Sequence, residues 1–218
     1  MATAPATSIA KSSSEAIILA ARKLFLKRGY DGVNLDAIAK KASVSRQTLY
    51  NNFGSKEAIF RAMLNDHWKR LRAGFDDKLA IGMEPDKAED MLRSFAQRMM
   101  SFIEAADQID FTRLVIAESR RTAWIGREFY DVGKGPLLHD FAETLKAYTA
   151  IGGLRCDNPL LAAHQFFGLI LECVFWPYVM AIGTATSELV PVEVAINEAV
   201  KMFIARYGRR DSVLELLD

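Results

Sequence analysis

The sequence predicts an all-α fold. Apolar residues recur at the three- and four-residue spacing of one helix face, as in residues 16–25, and no segment alternates between apolar and polar residues as a half-buried strand would. Half of the 218 residues are apolar and a quarter are charged, which is typical of a globular protein with a sizeable core. Capping residues and glycines divide this periodic pattern into separate helices.

Capping residues mark the first four helices. A capping box formed by Ser12 and Glu15 opens the first helix, and Gly29 ends it, because glycine adopts the left-handed cap conformation without a steric penalty. Asn34 and Ser55 stand where a side-chain oxygen can accept a hydrogen bond from the first turn of the second and fourth helices. The four predicted helices cover residues 12–28, 35–41, 45–53 and 56–79.

The rest of the chain is also predicted to be helical. Pro191 is favoured at the first position of the last helix and Gly208 at its end. Residues 82–85 and 183–187 are rich in turn-forming residues and are expected to be loops. The predicted helices cover residues 88–106, 110–120, 126–131, 136–151, 158–182 and 191–207.

Residues 166–182 are apolar over nearly the length of a membrane-spanning helix. Glu172 and Pro177 interrupt them, and no polybasic segment follows. A helix that is apolar on every side can also lie between a protein core and a partner subunit. We therefore expect a buried helix and no contact with a membrane.

Charge is distributed unevenly along the chain, although the net charge is only +1. Residues 1–70 hold 12 Lys and Arg against 5 Asp and Glu, whereas residues 71–218 hold 16 against 22. A basic module joined to an acidic body is one interpretation, and charges that merely solvate the surface are the other.

The cysteines and the first residues indicate where the protein acts. Cys156 and Cys173 fall in or beside one predicted helix, which argues against a disulfide framework and favours the reducing cytoplasm. Residues 1–11 lack the apolar stretch of a signal peptide and are expected to form a disordered arm.

The second and third helices are joined by residues 42–44, which is the spacing of a helix-turn-helix. In that motif the second helix presents side chains to the DNA bases. Arg46 can form two bonds to guanine and Gln47 two to adenine, and Lys56 lies at a helix N-terminus, where phosphate binds. The alternative is an amphipathic bundle with a solvated polar face. The candidate DNA contacts are Ser45, Arg46, Gln47, Thr48, Tyr50, Asn51 and Lys56.

Residues 20–58 resemble the DNA-binding domain of the TetR family of bacterial transcriptional regulators. The resemblance implies about nine helices, a homodimer on double-stranded operator DNA, and repression relieved by a small ligand. It also implies that Arg46, Gln47, Thr48, Tyr50 and Lys56 occupy operator-contacting positions. The residues that carry it are 20–25, Gly29-Tyr30, Ile38-Ala39, Val44-Ser45, Thr48-Leu49-Tyr50, Phe53 and 55–58.

The resemblance divides the chain into three parts. These are the disordered arm of residues 1–11, a three-helix helix-turn-helix domain over residues 12–57, and an effector-binding and dimerisation domain over residues 58–218. Residues 113–118, 126–130 and 162–168 resemble one branch of TetR-type C-terminal domains more loosely, and this does not identify a ligand.

Three positions depart from the usual pattern of the family. Ser43 replaces a turn glycine, and a left-handed serine would cost about 1 kcal/mol. Val33 removes a hydroxyl that contacts phosphate, and Gln47 adds a base-reading side chain where glycine is common. These departures affect the operator contacts rather than the presence of the motif.

A regulator needs an input, and the second part of the chain is rich in large apolar side chains. Ligand pockets are mostly apolar with a few polar anchors, so we expect a small, largely apolar effector. For each such side chain, ordinary core packing is the commoner role. The candidate effector contacts are Phe102, Phe111, Glu118, Trp124, Tyr148, His164, Phe167, Leu171 and Phe175.

The helices over residues 158–182 and 191–207 are the candidate dimer face. The apolar stripe of the second contains the small residues Ala195 and Ala199, which allow close helix approach, together with Val194, Phe203 and Ile204. Two-fold symmetry would place two recognition helices about 34–36 Å apart, or a multiple of this, to match a pseudo-palindromic operator.

Catalysis is not expected. His67, His139 and His164 are scattered, no paired-cysteine or His-Glu metal motif occurs, and residues 133–135 lack the spacing of a phosphate-binding loop. No metal or cofactor is expected. The remaining alternative is a helical ligand-binding or scaffold protein without specific DNA binding, which the salt dependence of DNA affinity would distinguish.

Overall fold

The structure is a computed structural model that describes residues 6–76, 83–105, 107–182 and 190–209. Over these residues the regular secondary structure is helical apart from one isolated bridge between Leu154 and Gly208, which confirms the predicted fold class. Residues 1–5 of the predicted arm, the end of the predicted helix 56–79 and the predicted loop 183–187 lie outside the described residues.

The described residues form eleven α-helical segments, with a 3₁₀ turn at Pro85–Lys87 and a π-helical turn at Tyr130–Lys134. The helices are α1 (Ala6–Arg28), α2 (Leu35–Ala42), α3 (Arg46–Phe53), α4 (Lys56–Asp76), α5 (Ala88–Ala105), α6 (Gln108–Ser119), α7 (Ala123–Phe129), α8 (Gly135–Ala150), α9 (Pro159–Val174), α10 (Trp176–Val179) and α11 (Val192–Tyr207).

The predicted caps are confirmed at three of the helix ends. Asn34 accepts a hydrogen bond from the N–H of Ala37, and the Ser55 hydroxyl accepts one from the first turn of α4. Gly29 follows α1 with φ +71°. The capping box predicted at Ser12 is wrong, because α1 already begins at Ala6. Residues 6–12 contain no proline or glycine that would interrupt this helix.

The single helix predicted over residues 158–182 is also wrong. α9 ends at Val174, Phe175 leaves the helical conformation with φ −121° and ψ −52°, and the short α10 follows. Pro177 explains the break, since proline has no N–H and its ring clashes with the carbonyl four residues earlier in a helix. Within the described part of the chain, no helix is long and apolar enough to cross a membrane.

The described residues divide into two compact units. The first unit takes its residues from Met1–Arg70 and Asp110–Gly133, and the second from Leu71–Ile109 and Lys134–Asp218.

One apolar cluster forms the core of the first unit. It joins α1–α4, whose buried members include Phe25, Leu49 and Phe60, to buried residues of the later segment, among them Phe111 and Ile125. The helix-turn-helix therefore shares its core with residues 110–133, which come much later in the chain.

The second unit has an aromatic core. Phe95 and Phe141 stack with ring centres 3.9 Å apart, and Phe166 and Phe203 pack beside them. Cys156 in this unit is buried and unpaired, and burial raises the pKa of its thiol, which disfavours the reactive thiolate.

Candidate nucleic-acid interface

The turn between α2 and α3 is built around a left-handed residue. Ser43 has φ 56° and ψ 38°, so the strained serine anticipated from the sequence is present. Its N–H donates to the carbonyl of Lys40, and the N–H of Val44 donates to that of Ala39. These bonds close the end of α2 and direct the chain into α3.

Two hydroxyls fix the start of α3. The Ser45 Oγ accepts a hydrogen bond from the N–H of Thr48 at 3.0 Å and lies 2.8 Å from the Thr48 Oγ1. Both residues are predicted DNA contacts, and here they form the N-cap of the helix. Their contacts with DNA stay a prediction.

α3 carries five exposed side chains, while Leu49 is fully buried on the opposite face. Gln47 Nε2 donates to Asn51 Oδ1 at 2.8 Å, one turn along the helix. This bond leaves Gln47 Oε1 and its second N–H available, and together they match the N6–H donor and N7 acceptor of adenine. The exposed residues are Arg46, Gln47, Tyr50, Asn51 and Asn52.

Arg46 is held by two neighbours. Its Nε lies 3.2 Å from Asp36 Oδ1, and its guanidinium lies 5.7 Å from the centre of the Tyr50 ring. A hydrogen bond with Tyr50, followed by the charge of Asp36, raises the pKa of Arg46 above its usual value. The ion pair is exposed, and exposed pairs contribute little, so a base or phosphate can replace Asp36.

Lys56 opens α4 beside the Ser55 cap. Its Nζ donates to the backbone carbonyl of Tyr30 at 2.9 Å and lies 4.2 Å from the centre of the Tyr30 ring. An ammonium has three N–H donors. One is used by Tyr30, and the others remain for a phosphate.

Tyr30 is not among the DNA or effector contacts predicted from the sequence, although the Gly29-Tyr30 pair is part of the family resemblance. Its N–H donates to Glu118 Oε1 at 3.1 Å, and its ring packs edge-on against Phe60 and Trp124. Burial, with the charges of nearby carboxylates, raises the pKa of its phenol. The phenol is therefore neutral beside Lys56, whose contact with phosphate stays a prediction.

Three candidate effector contacts lie in the first unit. Phe111 is fully buried and stacks on His67 with ring centres 3.9 Å apart. Trp124 packs against the Tyr30 ring, and Glu118 accepts a hydrogen bond from the N–H of Tyr30. These contacts all lie within the core that supports the helix-turn-helix, and an effector role for these residues stays a prediction.

The other six candidates belong to the second unit. Phe167 is buried, 5.6 Å from the Phe95 ring. Tyr148 is buried, its hydroxyl has no hydrogen-bond partner, and burial raises its pKa. The remaining candidates are Phe175, which is buried, Phe102 and Leu171, which are half-buried, and His164, which is exposed.

The apolar stripe predicted to form the dimer contact on the last helix faces the core instead. Ala195, Ala199, Phe203 and Ile204 are all buried within one subunit, where α11 packs against α5 and α9. Val194 alone of that stripe is exposed. Other exposed apolar side chains on α9 and α11 are Leu160, Leu161 and Met202.

The described residues contain no group of three or more His, Cys, Asp and Glu side chains placed to hold a metal ion.

Two family patterns match the chain. The pattern of bacterial regulatory proteins of the tetR family matches residues 17–63, which contain the helix-turn-helix described above. The pattern of the AefR-like transcriptional repressor C-terminal domain matches residues 90–209, which is more than half of the chain.

Individual proteins show the same likeness. The HTH-type transcriptional activator FasR of Mycolicibacterium smegmatis is 33% identical over 92 residues, which are 42% of this chain and 41% of that protein. The chain thus matches about two fifths of the length of this relative. The HTH-type transcriptional repressor AcnR of Corynebacterium glutamicum is 22% identical over 163 residues, 74% of this chain and 79% of that protein.

A solved structure extends the likeness to the whole fold. The flavonoid-responsive regulator FrrA superposes with a TM-score of 0.75 at 30% identity, covering 91% of this chain and 98% of that one.

Proposed function

Since the chain belongs to the TetR family of bacterial regulatory proteins, we propose that it is a ligand-responsive repressor that binds a pseudo-palindromic DNA operator as a homodimer in the cytoplasm. The family and the named relatives are transcriptional regulators rather than enzymes. Residues 12–57 supply the DNA contacts, and residues 58–218 supply the effector and dimer contacts. Residues 110–133 also complete the core of the first unit.

The observation that carries this function is the exposed face of α3. A capped helix follows a left-handed turn and presents a guanidinium, three amides and a phenol to solvent while its apolar side chains pack inward. These side-chain types can distinguish base pairs in the major groove. Lys56 adds a phosphate contact beside them, and the first 70 residues carry an excess of basic side chains.

Fluorescence anisotropy tests the proposal. Purified protein is titrated with duplex DNA from upstream of its own gene and with a scrambled duplex of equal length. We expect a preference of about a thousandfold or more at near-physiological salt. Equal, weak binding to this and other candidate duplexes would instead favour a scaffold protein without specific DNA binding.

Two variants assign the contacts. Arg46→Ala should cost about 1–3 kcal/mol of binding and relax specificity at one base position, whereas Lys56→Ala should weaken binding to all duplexes alike. Lys69→Ala is the matched control, because Lys69 is an exposed lysine on the same helix and lies well beyond the start of α4.

A largely apolar effector is supported by the aromatic core of the second unit and by the unpartnered Tyr148 hydroxyl, which suits a ligand with one polar group. The structural relative is named as flavonoid-responsive, so flavonoids are the first class to test. We expect a flavonoid to bind in calorimetry and to release DNA. Tyr148→Phe should weaken this binding, and a panel of hydrophobic ligands without any binder would contradict the proposal.

A homodimer is supported by the exposed apolar side chains of α9 and α11, namely Leu160, Leu161, Val194 and Met202. Apolar side chains that remain exposed in a single subunit are common at subunit contacts. Sedimentation equilibrium should give twice the chain mass. A monomer at micromolar concentration would contradict this part of the proposal.

A further inference from the structure

We propose that Glu118 of α6 is a positioning residue for the DNA-backbone contact of Lys56, and that it acts through Tyr30. The inference rests on the proposed function, because Lys56 contacts phosphate only if the protein binds DNA. Glu118 lies 88 residues after Tyr30, in the part of the chain that the C-terminal family pattern matches.

Both backbone groups of Tyr30 are bonded to charged side chains. Its N–H donates to Glu118 Oε1 at 3.1 Å, and its carbonyl accepts from Lys56 Nζ at 2.9 Å. Hydrogen bonds to charged groups are stronger than neutral ones. Tyr30 therefore links Glu118 to Lys56.

The Tyr30 ring holds the ammonium on a second side. Lys56 Nζ lies 4.2 Å from the ring centre, within the range of a cation–π interaction. The ring itself is fixed by edge contacts with Phe60 and Trp124, at centre distances of 5.2 and 5.8 Å. Trp124 in turn lies under the guanidinium of Arg61, at 4.4 Å.

Gly29 allows the carboxylate to approach the backbone. It has φ +71°, and a Cβ at this position would lie 2.5 Å from Glu118 Oε1. A side chain at residue 29 would displace the carboxylate from the N–H of Tyr30. Glycine is thus required both for the left-handed turn and for the Glu118 contact.

Glu118 is not the residue that packing alone would favour. It is 7% exposed, and its Oε2 is buried without a hydrogen-bond partner. Burying an unsatisfied carboxylate oxygen lowers stability. A methionine of similar length would avoid this loss but could not accept the Tyr30 hydrogen bond.

Without that bond, the N–H of Tyr30 has no acceptor at the end of α1. We expect the Gly29–Tyr30 turn to relax and to withdraw both the carbonyl and the ring from Lys56. The ammonium then samples more orientations and its contact with phosphate weakens, although Lys56 itself is unchanged.

The test compares Glu118→Met with Glu118→Gln in the full chain. Both variants lose the negative charge, but only glutamine keeps an oxygen that accepts from Tyr30. The readout is the slope of log affinity against log salt concentration, measured on an operator duplex. The magnitude of this slope falls by about one when a single phosphate contact is lost. We expect Lys56→Ala and Glu118→Met to reduce the slope by this amount, and Glu118→Gln to keep the parental slope.

The double variant Lys56→Ala with Glu118→Met should show no further reduction, because both changes remove the same contact. An unchanged slope for folded Glu118→Met, or reductions that add in the double variant, would overturn the proposal. Circular dichroism melting checks folding. If Glu118→Met does not fold, Glu118→Asp replaces it, because the shorter side chain cannot reach Tyr30.

A second readout needs no DNA. The rate at which Lys56 is acetylated by acetic anhydride is measured by mass spectrometry, with Lys69 as the internal reference. Release of the ammonium should raise this rate severalfold in Glu118→Met but not in Glu118→Gln, and equal rates would overturn the proposal. If the rates differ as expected while the parent protein lacks specific DNA binding, the proposed function fails and the positioning of Lys56 stands.

Discussion

At the scale of single residues, we propose that Gln47 and Asn51 determine which bases α3 can distinguish. Because Asn51 accepts one N–H of Gln47, the amide of Gln47 is oriented before DNA arrives. The remaining acceptor and donor fit adenine better than any other base in the major groove. Pre-organisation of this kind reduces the entropy lost on binding.

Gln47→Ala should therefore cost about 1–3 kcal/mol on the operator and remove the preference for adenine at one position. Asn51→Ala should leave a weaker preference for adenine at the same position. Binding to duplexes that carry each base at that position measures both effects. Asn52→Ala is the control, since Asn52 is exposed and its Nδ2 donates to the carbonyl of Thr48 in its own helix. Equal losses for Gln47→Ala and Asn52→Ala would contradict the assignment.

Ser43 carries backbone strain in the turn. A left-handed serine is less stable than glycine by about 1 kcal/mol, so Ser43→Gly should raise the free energy of unfolding by about that amount. Ser43→Ala should not, because alanine also has a Cβ. Urea denaturation compares the three proteins. If glycine and alanine have the same effect, the left-handed conformation is not the source of the strain.

Residues near one another in sequence were predictable, and distant partners were not. The left-handed turn at Ser43 and the places of Gln47 on α3 and Lys56 at the start of α4 could be predicted, because the helix-turn-helix is local and its spacing is fixed. The bond between Tyr30 and Glu118 joins positions 88 residues apart, and no pattern within either helix indicates it. The sequence predicts Glu118 only as a candidate effector contact, because ligand pockets combine apolar walls with a few polar anchors.

At the scale of helices, periodicity identified apolar faces but not what covers them. The stripe of α11 that contains Ala195 and Phe203 is apolar because it faces the core of its own subunit, so a dimer contact could not be inferred from it. Similarly, the continuous apolar pattern of residues 166–182 gave no indication that the helix breaks at Phe175. Pro177 was visible in the sequence, and its effect on the helix is local.

The π-helical turn before α8 depends on a close contact with α4. Gly133 is buried in that turn, and a Cβ there would overlap the indole ring of Trp68. Both residues belong to the first unit. Glycine thus allows the backbone to lie directly against the tryptophan ring.

Gly133→Ala should lower the free energy of unfolding by about 1–3 kcal/mol, the usual effect of overpacking a core. Gly168→Ala is the matched control, because Gly168 lies within α9 with open space around its Cα, so alanine should stabilise the helix. Chemical denaturation measures both changes. A stable Gly133→Ala protein with parental tryptophan fluorescence would contradict the close contact.

At the scale of the whole molecule, the fold class and the helix-turn-helix followed from the sequence because each depends on local patterns. The composition of the two units did not. The sequence places residues 110–133 among the effector helices, whereas their buried side chains Phe111, Leu114 and Ile125 complete the core of the first unit. Such packing is determined by side chains from distant helices and has no local signature.

Selection of operators from a random duplex library tests specific DNA recognition most directly. The protein is incubated with the library at near-physiological salt, bound duplexes are recovered and sequenced, and the Arg46→Ala variant is treated in parallel. We expect an inverted repeat whose half-site centres lie about 10–10.5 base pairs apart, or a multiple of this, with one position per half-site relaxed in the variant. Recovery of no enriched sequence would contradict recognition of an operator by α3, and recovery of the same sequence by both proteins would contradict the base contact of Arg46.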